Sequence, residues 1–192
     1  MKIDLTGKTA LVTGSTAGIG QAIAAGLAAA GANVVINGRK QETVNKAVAA
    51  LEGAGGKVCG VAADVSTAEG CDTLVASVRN VDILVNNAGI VVPGAVSGLT
   101  QEELDLHLEI NLRAPIRLMR AVAPRMIARG RGAMVATVSL GGVISLKDSA
   151  IYSASKFGLR GFLCGFHQEL APLGVKVSGV YPAAVDTPML HH

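Results

Sequence analysis

The sequence predicts an α/β fold in which helices cover both faces of a parallel β-sheet. Short runs rich in Val, Ile and Ala alternate with longer helical stretches along the chain, which is typical of parallel strands joined by helical crossovers. The apolar runs are continuous rather than alternating, as expected for strands that are buried on both faces. A glycine-rich turn also separates the first apolar run from the first helical stretch. Together these observations indicate a doubly wound sheet.

Strands and helices are predicted in strict alternation. The predicted strands lie near Thr9 to Thr13, Asn33 to Asn37, Lys57 to Ala62, Ile83 to Asn86, Ala133 to Ser139 and Val175 to Tyr181. The predicted helices lie near Gly18 to Ala30, Gln41 to Leu51, Ala68 to Val78, Gln101 to Arg129 and Ser149 to Leu173. Half of the 192 residues are apolar, so the chain can bury one core, and we expect a single domain over residues 1–192.

The glycine-rich turn reads Thr13-Gly14-Ser15-Thr16-Ala17-Gly18-Ile19-Gly20 and lies between a strand and a helix. Glycines there let the chain turn tightly and let backbone amides approach a diphosphate, while the helix N-terminus attracts negative charge. An ordinary glycine-rich turn is the alternative, because the spacing differs from the commonest dinucleotide fingerprint. The candidate cofactor-binding residues of this turn are Gly14, Ser15, Thr16, Gly18, Ile19 and Gly20.

A second group of residues indicates proton transfer. Tyr152 and Lys156 lie one helical turn apart, so the ammonium group can approach the phenol and favour its ionised form. Ser139 stands upstream at the end of an apolar strand. The alternative for this pair alone is a half-buried aromatic side chain beside a solvated surface charge.

Four motifs in order give the chain a clear resemblance. They are the glycine turn, Asn86-Asn87-Ala88-Gly89 after a strand, Asn111 inside a long helix, and Ser139 with Tyr152 and Lys156. From Leu5 to about Met189, the sequence resembles the short-chain dehydrogenase/reductase family in its ordinary single-domain type. The resemblance implies a Rossmann-like, three-layer αβα domain with strand order 3-2-1-4-5-6, whose ligands bind beyond the carboxyl ends of the strands.

The resemblance also implies a mechanism and a role for each catalytic residue. Tyr152 would be the general acid or base, and Ser139 would hydrogen-bond the same substrate oxygen. Lys156 would hold the nicotinamide ribose, and Asn111 would anchor a water that relays protons. As alternatives, Ser139 could cap a turn and Asn111 could satisfy a helix kink. The implied activity is an NAD(P)H-dependent oxidoreductase that interconverts a ketone or β-ketoacyl group and a secondary alcohol.

The end of the second strand favours NADP(H), with NAD(H) as the alternative. The sequence Ile36-Asn37-Gly38-Arg39 has no carboxylate to repel a 2′-phosphate, and the Arg39 guanidinium can pair with one. Arg39 could instead cap a surface turn, and Asp64 could be a turn residue rather than a neighbour of the adenine ring. The remaining cofactor-binding candidates implied by the resemblance are Asp64, Val65, Asn87, Ala88, Gly89, Tyr152, Lys156, Pro182, Val185 and Thr187.

Two departures from the family pattern concern the C-terminal part. Ala183 follows Pro182 where the family usually has Gly, which would matter if the backbone needed a positive φ there. The sequence ends at His191-His192, so we expect the last family strand and most of the substrate lid to be absent and the edge strand Val175 to Tyr181 to be uncovered. The His pair could be the start of a purification tag, a native end, or the edge of a longer chain.

Composition and charge exclude several classes of protein. A net charge of +3, from 17 basic and 14 acidic residues, is too small and scattered for a nucleic-acid surface. No apolar run is long enough for a membrane span, no export signal is visible, and three widely spaced cysteines predict neither a disulfide framework nor a zinc site, which suits the cytoplasm. His107 and His167 are interpreted as helix-surface or packing residues, since neither has a metal-spaced companion.

Partners and substrate are predicted only by class. We expect a small-molecule carbonyl or alcohol substrate, and a homodimer or homotetramer that associates through the long helices 101–129 and 149–173. Apolar residues follow Gly89 and Ser139, and they could be a pocket wall or plain core. The function from a different class is a catalytically impaired dinucleotide-binding sensor or scaffold; the complete Asn111, Ser139, Tyr152 and Lys156 set favours the enzyme.

Overall fold

The computed structural model describes residues 3–145 and 147–187, which contain one six-stranded parallel sheet. The strands are β1 Thr9–Val12, β2 Asn33–Gly38, β3 Val58–Ala62, β4 Ile83–Asn86, β5 Gly132–Thr137 and β6 Val175–Val180. The α-helices are α1 Gly18–Ala29, α2 Gln41–Ala49, α3 Ala68–Ser77, α4 Gln101–Leu108, α5 Ala114–Ala128 and α6 Ala150–Leu170. The sheet order is β3-β2-β1-β4-β5-β6, so the predicted doubly wound topology is confirmed.

Two hydrophobic cores lie on opposite faces of the sheet. Alternate residues of β1 belong to different cores. Leu11 packs with residues of α3, α5 and α6, whereas Ala10 and Val12 pack with residues of α1 and α2. Successive side chains of a strand point to opposite faces, so a continuous apolar strand supplies both cores. The result is the expected three-layer αβα arrangement.

The helix predicted over residues 101–129 is interrupted. Between α4 and α5, residues Glu109–Arg113 form a π-helical segment that contains the fully buried Asn111. Pro115, in the first turn of α5, has no N–H to donate to the carbonyl four residues earlier, which is that of Asn111. The missing donor explains why the regular α-helical ladder changes at this point.

β6 is one of the two edge strands of the sheet in the part of the chain that the structure describes, and β3 is the other. β6 pairs with β5 through residues Val175 to Val180, and no other described strand pairs with its outer side. Val180 is 54% exposed, as expected for an edge strand without a neighbour. No described helix is both long and apolar enough to cross a lipid bilayer.

A buried threonine ties the first and fourth strands together at their carboxyl ends. Thr13 is 1% exposed, and its Oγ1 accepts hydrogen bonds from the backbone N–H groups of Asn87 and Ala88, each at 3.0 Å. The Thr13 N–H donates to the Val85 carbonyl at 2.9 Å. The hydroxyl therefore fixes the loop after β4 against the glycine turn.

We predict that Thr13→Val lowers the free energy of unfolding by about 2–4 kcal/mol, because two partly buried backbone N–H groups lose their acceptor. Thr13→Ser keeps the acceptor and removes one methyl group, so its cost should stay near 1 kcal/mol. Urea denaturation of both variants checks this, and equal costs for Val and Ser would contradict the assignment.

Candidate active site

A cleft of about 600 Å³ opens along the carboxyl ends of the strands. Parallel strands bring their carboxyl ends to one edge, so loops that are distant in sequence meet there. Most of the predicted site residues line this cleft: Gly14, Thr16, Gly18, Ile19, Arg39, Asp64, Val65, Asn87, Ala88, Gly89, Ser139, Tyr152, Lys156, Pro182, Val185 and Thr187. Three predicted residues, Ser15, Gly20 and Asn111, are buried and lie behind it.

The glycine turn places an uncapped helix N-terminus at the cleft. Gly14 has a φ of +59°, and a side chain there would come within 2.8 Å of the Ala88 Cα, so only glycine fits. Ala17 precedes α1 and makes no side-chain capping bond, and the first turn of α1 contains no acidic residue. The first amides of the helix therefore remain available to an anion.

Ser15 and Gly20 have internal roles in this turn. The Ser15 hydroxyl donates to the Val12 carbonyl at 2.7 Å and accepts the Asn37 N–H at 3.0 Å. Gly20 packs against the Gly14 carbonyl, where a side chain would collide with it. These two residues shape the turn and do not face the cleft.

The far end of the cleft, beyond β2 and β3, carries Arg39 and Asp64. Arg39 is exposed at the rim. The Asp64 carboxylate accepts the Ser66 N–H at 2.9 Å, so this residue also stabilises a turn. Asn37, which the sequence analysis missed, lines the same end and donates from Nδ2 to the carbonyls of Val61 and Ala63.

A hydrogen-bonded chain of side chains crosses the middle of the cleft. Asn87 Nδ2 donates to the carbonyls of Thr13 and Gly14, at 3.2 and 3.1 Å, and Asn87 Oδ1 accepts from the Thr137 hydroxyl at 3.2 Å. The Thr137 carbonyl in turn accepts from Lys156 Nζ at 2.9 Å. Thr13 and Thr137 were not predicted as site residues, because a threonine at a strand end does not reveal its bonding partner in the sequence.

Lys156 is buried beside Tyr152. Its exposure is 4%, and its Nζ lies 5.7 Å from the centroid of the Tyr152 ring. Burial removes the ammonium group from water and lowers the pKa of Lys156 from 10.5 to about 8. A solvated surface lysine, the alternative for this residue, is thereby excluded.

Ser139 has a strained backbone where β5 leads into the site. Its φ of 143° and ψ of 160° fall in a region that is almost restricted to glycine, at a cost of about 1–3 kcal/mol. Its Oγ accepts the Gly141 N–H at 3.0 Å, so the turn-capping alternative holds as well. The Gly141 backbone also packs on Tyr152, since a side chain there would lie 2.8 Å from the ring. One tight turn thus supports both hydroxyl-bearing residues.

Asn111 lies behind the cleft wall. Its Oδ1 accepts the Ile90 N–H and its Nδ2 donates to the Ile90 carbonyl, both at 2.9 Å. Gly89 separates it from Lys156: a side chain at Gly89 would lie 3.1 Å from Asn111 Oδ1 and 3.6 Å from Lys156 Nζ. Asn111 lies in the π-helical segment, but both of these side-chain bonds go to the loop after β4, so the side chain anchors that loop.

The segment after β6 closes the site. The Pro182 carbonyl accepts the Leu140 N–H at 2.8 Å, so this segment is attached to the Ser139 turn. Among the described residues other than glycine, only Ser139 and Asp148 have a positive φ. Ala183 therefore stands where no glycine backbone is required. Met189 and the terminal His pair lie outside the described residues.

The two helical histidines differ in environment. His167 is exposed and its Nδ1 lies 3.2 Å from the Val177 carbonyl. His107 is fully buried and hydrogen-bonded, so of the two predicted alternatives the packing one holds for it and the surface one does not. Residues 3–145 and 147–187 contain no cluster of His, Cys, Asp and Glu that could hold a metal ion.

Comparison with known proteins agrees with this geometry. The family model described as short chain dehydrogenase matches residues 8–192. Dehydrogenase/reductase SDR family member 4 from Mus musculus is 39% identical over 188 residues, which cover 95% of this chain and 67% of that protein.

Two solved structures have the same fold over almost the whole chain. L-sorbose reductase from Gluconobacter frateurii, solved with NADPH and L-sorbose, superposes with a TM-score of 0.94 at 36% identity and covers 98% of this chain and 73% of its own. A putative NAD(P)-dependent gluconate 5-dehydrogenase from Beutenbergia cavernae superposes with a TM-score of 0.92 at 34% identity. The match covers 98% of this chain and 76% of that protein's chain. With its sheet order, its glycine turn and this sequence match, the chain belongs to the short-chain dehydrogenase family.

Proposed function

We propose that this protein is an NADP(H)-preferring oxidoreductase that interconverts a ketone or β-ketoacyl group and a secondary alcohol, with residues 1–192 acting as one dinucleotide-binding and catalytic domain. The observation that carries the proposal is the meeting of Ser139, Tyr152 and Lys156 in one cleft whose other side is an uncapped helix N-terminus. Family membership supports oxidoreduction with a nicotinamide dinucleotide.

The residues of the cleft suit such a cofactor. The first amides of α1 would bind the diphosphate, because they have no internal acceptor and Gly14 lets the chain approach closely. Lys156 would hold the nicotinamide ribose and Arg39 the adenosine end. When bound, the nicotinamide donates hydride to a carbonyl carbon or accepts it from an alcohol.

The chain's own groups would manage the oxygen and its proton. Tyr152 would protonate the carbonyl oxygen during reduction and accept the proton during oxidation. The Ser139 hydroxyl, whose oxygen already accepts the Gly141 N–H, would donate its hydrogen to the same oxygen. Lys156 uses one of its three donors on the Thr137 carbonyl, which fixes its ammonium group beside the Tyr152 ring. The strained turn at Ser139 would hold these groups in place before substrate arrives.

The first experiment measures NADPH and NADH oxidation by the purified chain against a panel of ketones and β-ketoesters. We expect Tyr152→Phe to lower kcat/KM by about 10²–10⁴, because the general acid is lost, while the Kd for NADPH stays within about twofold. If the wild-type protein bound cofactor but turned over no member of the panel, the sensor or scaffold alternative would replace the enzyme.

The buried ammonium gives the activity a pH dependence. Because the pKa of Lys156 is lowered to about 8, the charged form is present below this pH and is lost as the pH rises through it. We therefore predict that kcat/KM for reduction declines with a one-proton slope above about pH 8.

The matched variant for this prediction is Lys156→Arg, whose guanidinium stays charged throughout the range. Its activity at neutral pH should be lower, because the fork does not fit the Thr137 carbonyl and the ribose in the same way. Its alkaline decline should disappear, and a decline that persists unchanged would assign the titration to another group.

The choice of NADP(H) depends on Arg39. A guanidinium at the rim beyond β2 can pair with a 2′-phosphate through two parallel hydrogen bonds, and no carboxylate stands in Ile36 to Arg39 to oppose the phosphate. We predict that Arg39→Gln raises the KM for NADPH roughly tenfold or more and leaves the KM for NADH within about twofold.

Lys40→Gln is the control, since it removes the same charge from the adjacent exposed residue. Steady-state kinetics with both cofactors compares the two variants. An equal rise of the KM for NADPH in both variants would show that only general electrostatic attraction is involved. An equal rise of the KM for NADPH and of the KM for NADH in Arg39→Gln would refute a 2′-phosphate contact.

We also propose association through the long helices, as a homodimer or, alternatively, a homotetramer. A groove of about 490 Å³ between α5 and α6 contains the stacked Phe162 and Phe166 rings, 5.0 Å apart, and is flanked by Arg120 and Glu169. Gly161 on this face has no atom within 4 Å of an added side chain, so a second copy could approach the helix backbone.

Gly161→Glu should therefore convert the oligomer to monomer in sedimentation velocity experiments. Gly26→Glu is the matched control, because Gly26 is also an exposed helical glycine with open space around it, but on α1. Either a wild-type monomer or an unchanged oligomer in Gly161→Glu would contradict association through this face.

A further inference from the structure

One wall of the cleft is a loop that contains neither helix nor strand. Ile90 and Val91 line the same cleft as the Ser139 turn, and Val92 follows them before Pro93. The backbone N–H groups of such a segment need acceptors, because an unpaired donor in a partly buried place is costly. The Ile90 N–H donates to Asn111 Oδ1. The Val92 N–H donates to the imidazole of His107, whose Nε2 lies 3.0 Å from the Val92 nitrogen.

We propose that His107 is a positioning residue for the carbonyl substrate, and that its neutral imidazole fixes the Val91–Val92 part of the substrate wall by accepting the Val92 N–H. This proposal rests on the proposed function, because it assumes that a carbonyl substrate lies against this wall. His107 itself does not line the cleft and would act only through the loop.

The two hydrogen bonds of the ring decide which nitrogen carries the proton. His107 Nδ1 lies 2.7 Å from the Glu103 carbonyl, which can only accept, so Nδ1 must be the donor. Nε2 of the neutral ring is then an acceptor, as the Val92 N–H requires. The ring is fully buried, so water does not compete for either nitrogen.

The spacing of the two loop anchors fits their partners. Positions 107 and 111 are four residues apart in the chain, which is roughly 6 Å along a helix. The N–H groups of Ile90 and Val92 belong to alternate residues, and alternate N–H groups of an extended chain point to the same side and are about 6.6 Å apart. His107 and Asn111 thus act together like a neighbouring strand for this loop.

The consequence for the reaction concerns binding more than chemistry. A wall that contacts the substrate equally in the ground state and the transition state changes KM and leaves kcat nearly unaltered. Release of Val92 leaves Ile90 attached to Asn111, so the wall would loosen over Val91 and Val92 and remain in place elsewhere. The Gly94 N–H donates to the Asp148 carbonyl at 2.8 Å, which limits the loosening on the other side.

Two amide variants separate the functions of the ring nitrogens. Asn at position 107 places its amide where Nδ1 is and loses the acceptor for Val92, whereas Gln reaches the Nε2 position and keeps it. We expect His107→Asn to raise the KM for the carbonyl substrate roughly 3- to 10-fold, the range for one lost hydrogen bond, with kcat and the Kd for NADPH within about twofold. His107→Gln should restore the KM.

Amide hydrogen exchange gives a readout that does not depend on turnover. The Val92 N–H should exchange faster in His107→Asn than in His107→Gln, relative to amides of β1. Nitrogen-15 NMR of histidine-labelled wild-type protein should find the proton of His107 on Nδ1, and a proton on Nε2 would overturn the proposal without any variant.

The outcomes distinguish this proposal from the proposed function. If the wild-type protein is active and His107→Asn and His107→Gln have the same substrate KM as the wild type, the role of His107 is refuted and the proposed function stands. A parallel rise of the substrate KM and of the NADPH Kd in His107→Asn would refute that role as well. A wild-type protein that turns over no carbonyl compound would refute the proposed function, and with it the substrate role of His107, even if the exchange of Val92 changes as expected.

Discussion

The site depends on burying polar groups at the carboxyl edge of a parallel sheet. The strands bring backbone carbonyls and side-chain amides into a region with little water, where each must find a partner. Thr13, Asn87 and Thr137 meet this requirement by bonding to one another and to the backbone across three strands. The Lys156 ammonium is held at the end of this chain of bonds. The network therefore joins the ends of the strands and also fixes the position of the Lys156 ammonium group.

Two features of the site reduce stability. Lowering the Lys156 pKa from 10.5 to about 8 corresponds to roughly 3 kcal/mol against the charged form. The backbone of Ser139 adds strain of about 1–3 kcal/mol. Neither cost is needed to close the core, since a neutral residue at Lys156 or a glycine at Ser139 would avoid it. Their coincidence in one cleft is what is expected of a preorganised catalytic site.

Much of this arrangement was predictable from sequence. The helix layers follow from continuous apolar strands and the periodic order of elements, whereas the strand order and the cleft residues follow from the family motifs at strand ends. Local bonding was not predictable. Ser15 belongs to a cofactor motif, yet its hydroxyl is used inside the turn, and Asn111 bonds to Ile90, a loop residue 21 positions away in the chain.

The histidine at position 107 shows why such details are missed. Its helical position alone does not distinguish a surface side chain from a buried one, because that depends on the path of the loop after β4. Thr13 and Thr137 likewise have ordinary strand-end positions, and only the tertiary fold reveals that they bond to Asn87. Sequence patterns specify elements and motifs, whereas side-chain partners depend on packing between them.

The uncapped start of α1 has a consequence for how the protein persists in a cell. A helix whose first amides lack an internal acceptor can bind an anion at its turn, and the folded state gains free energy from that occupant by mass action. At a ligand concentration one hundred times its Kd, the gain is about 2.7 kcal/mol, a large part of the stability of a small domain. The lifetime of the chain would then follow the cellular supply of its dinucleotide, and starvation for that metabolite would expose it to proteolysis.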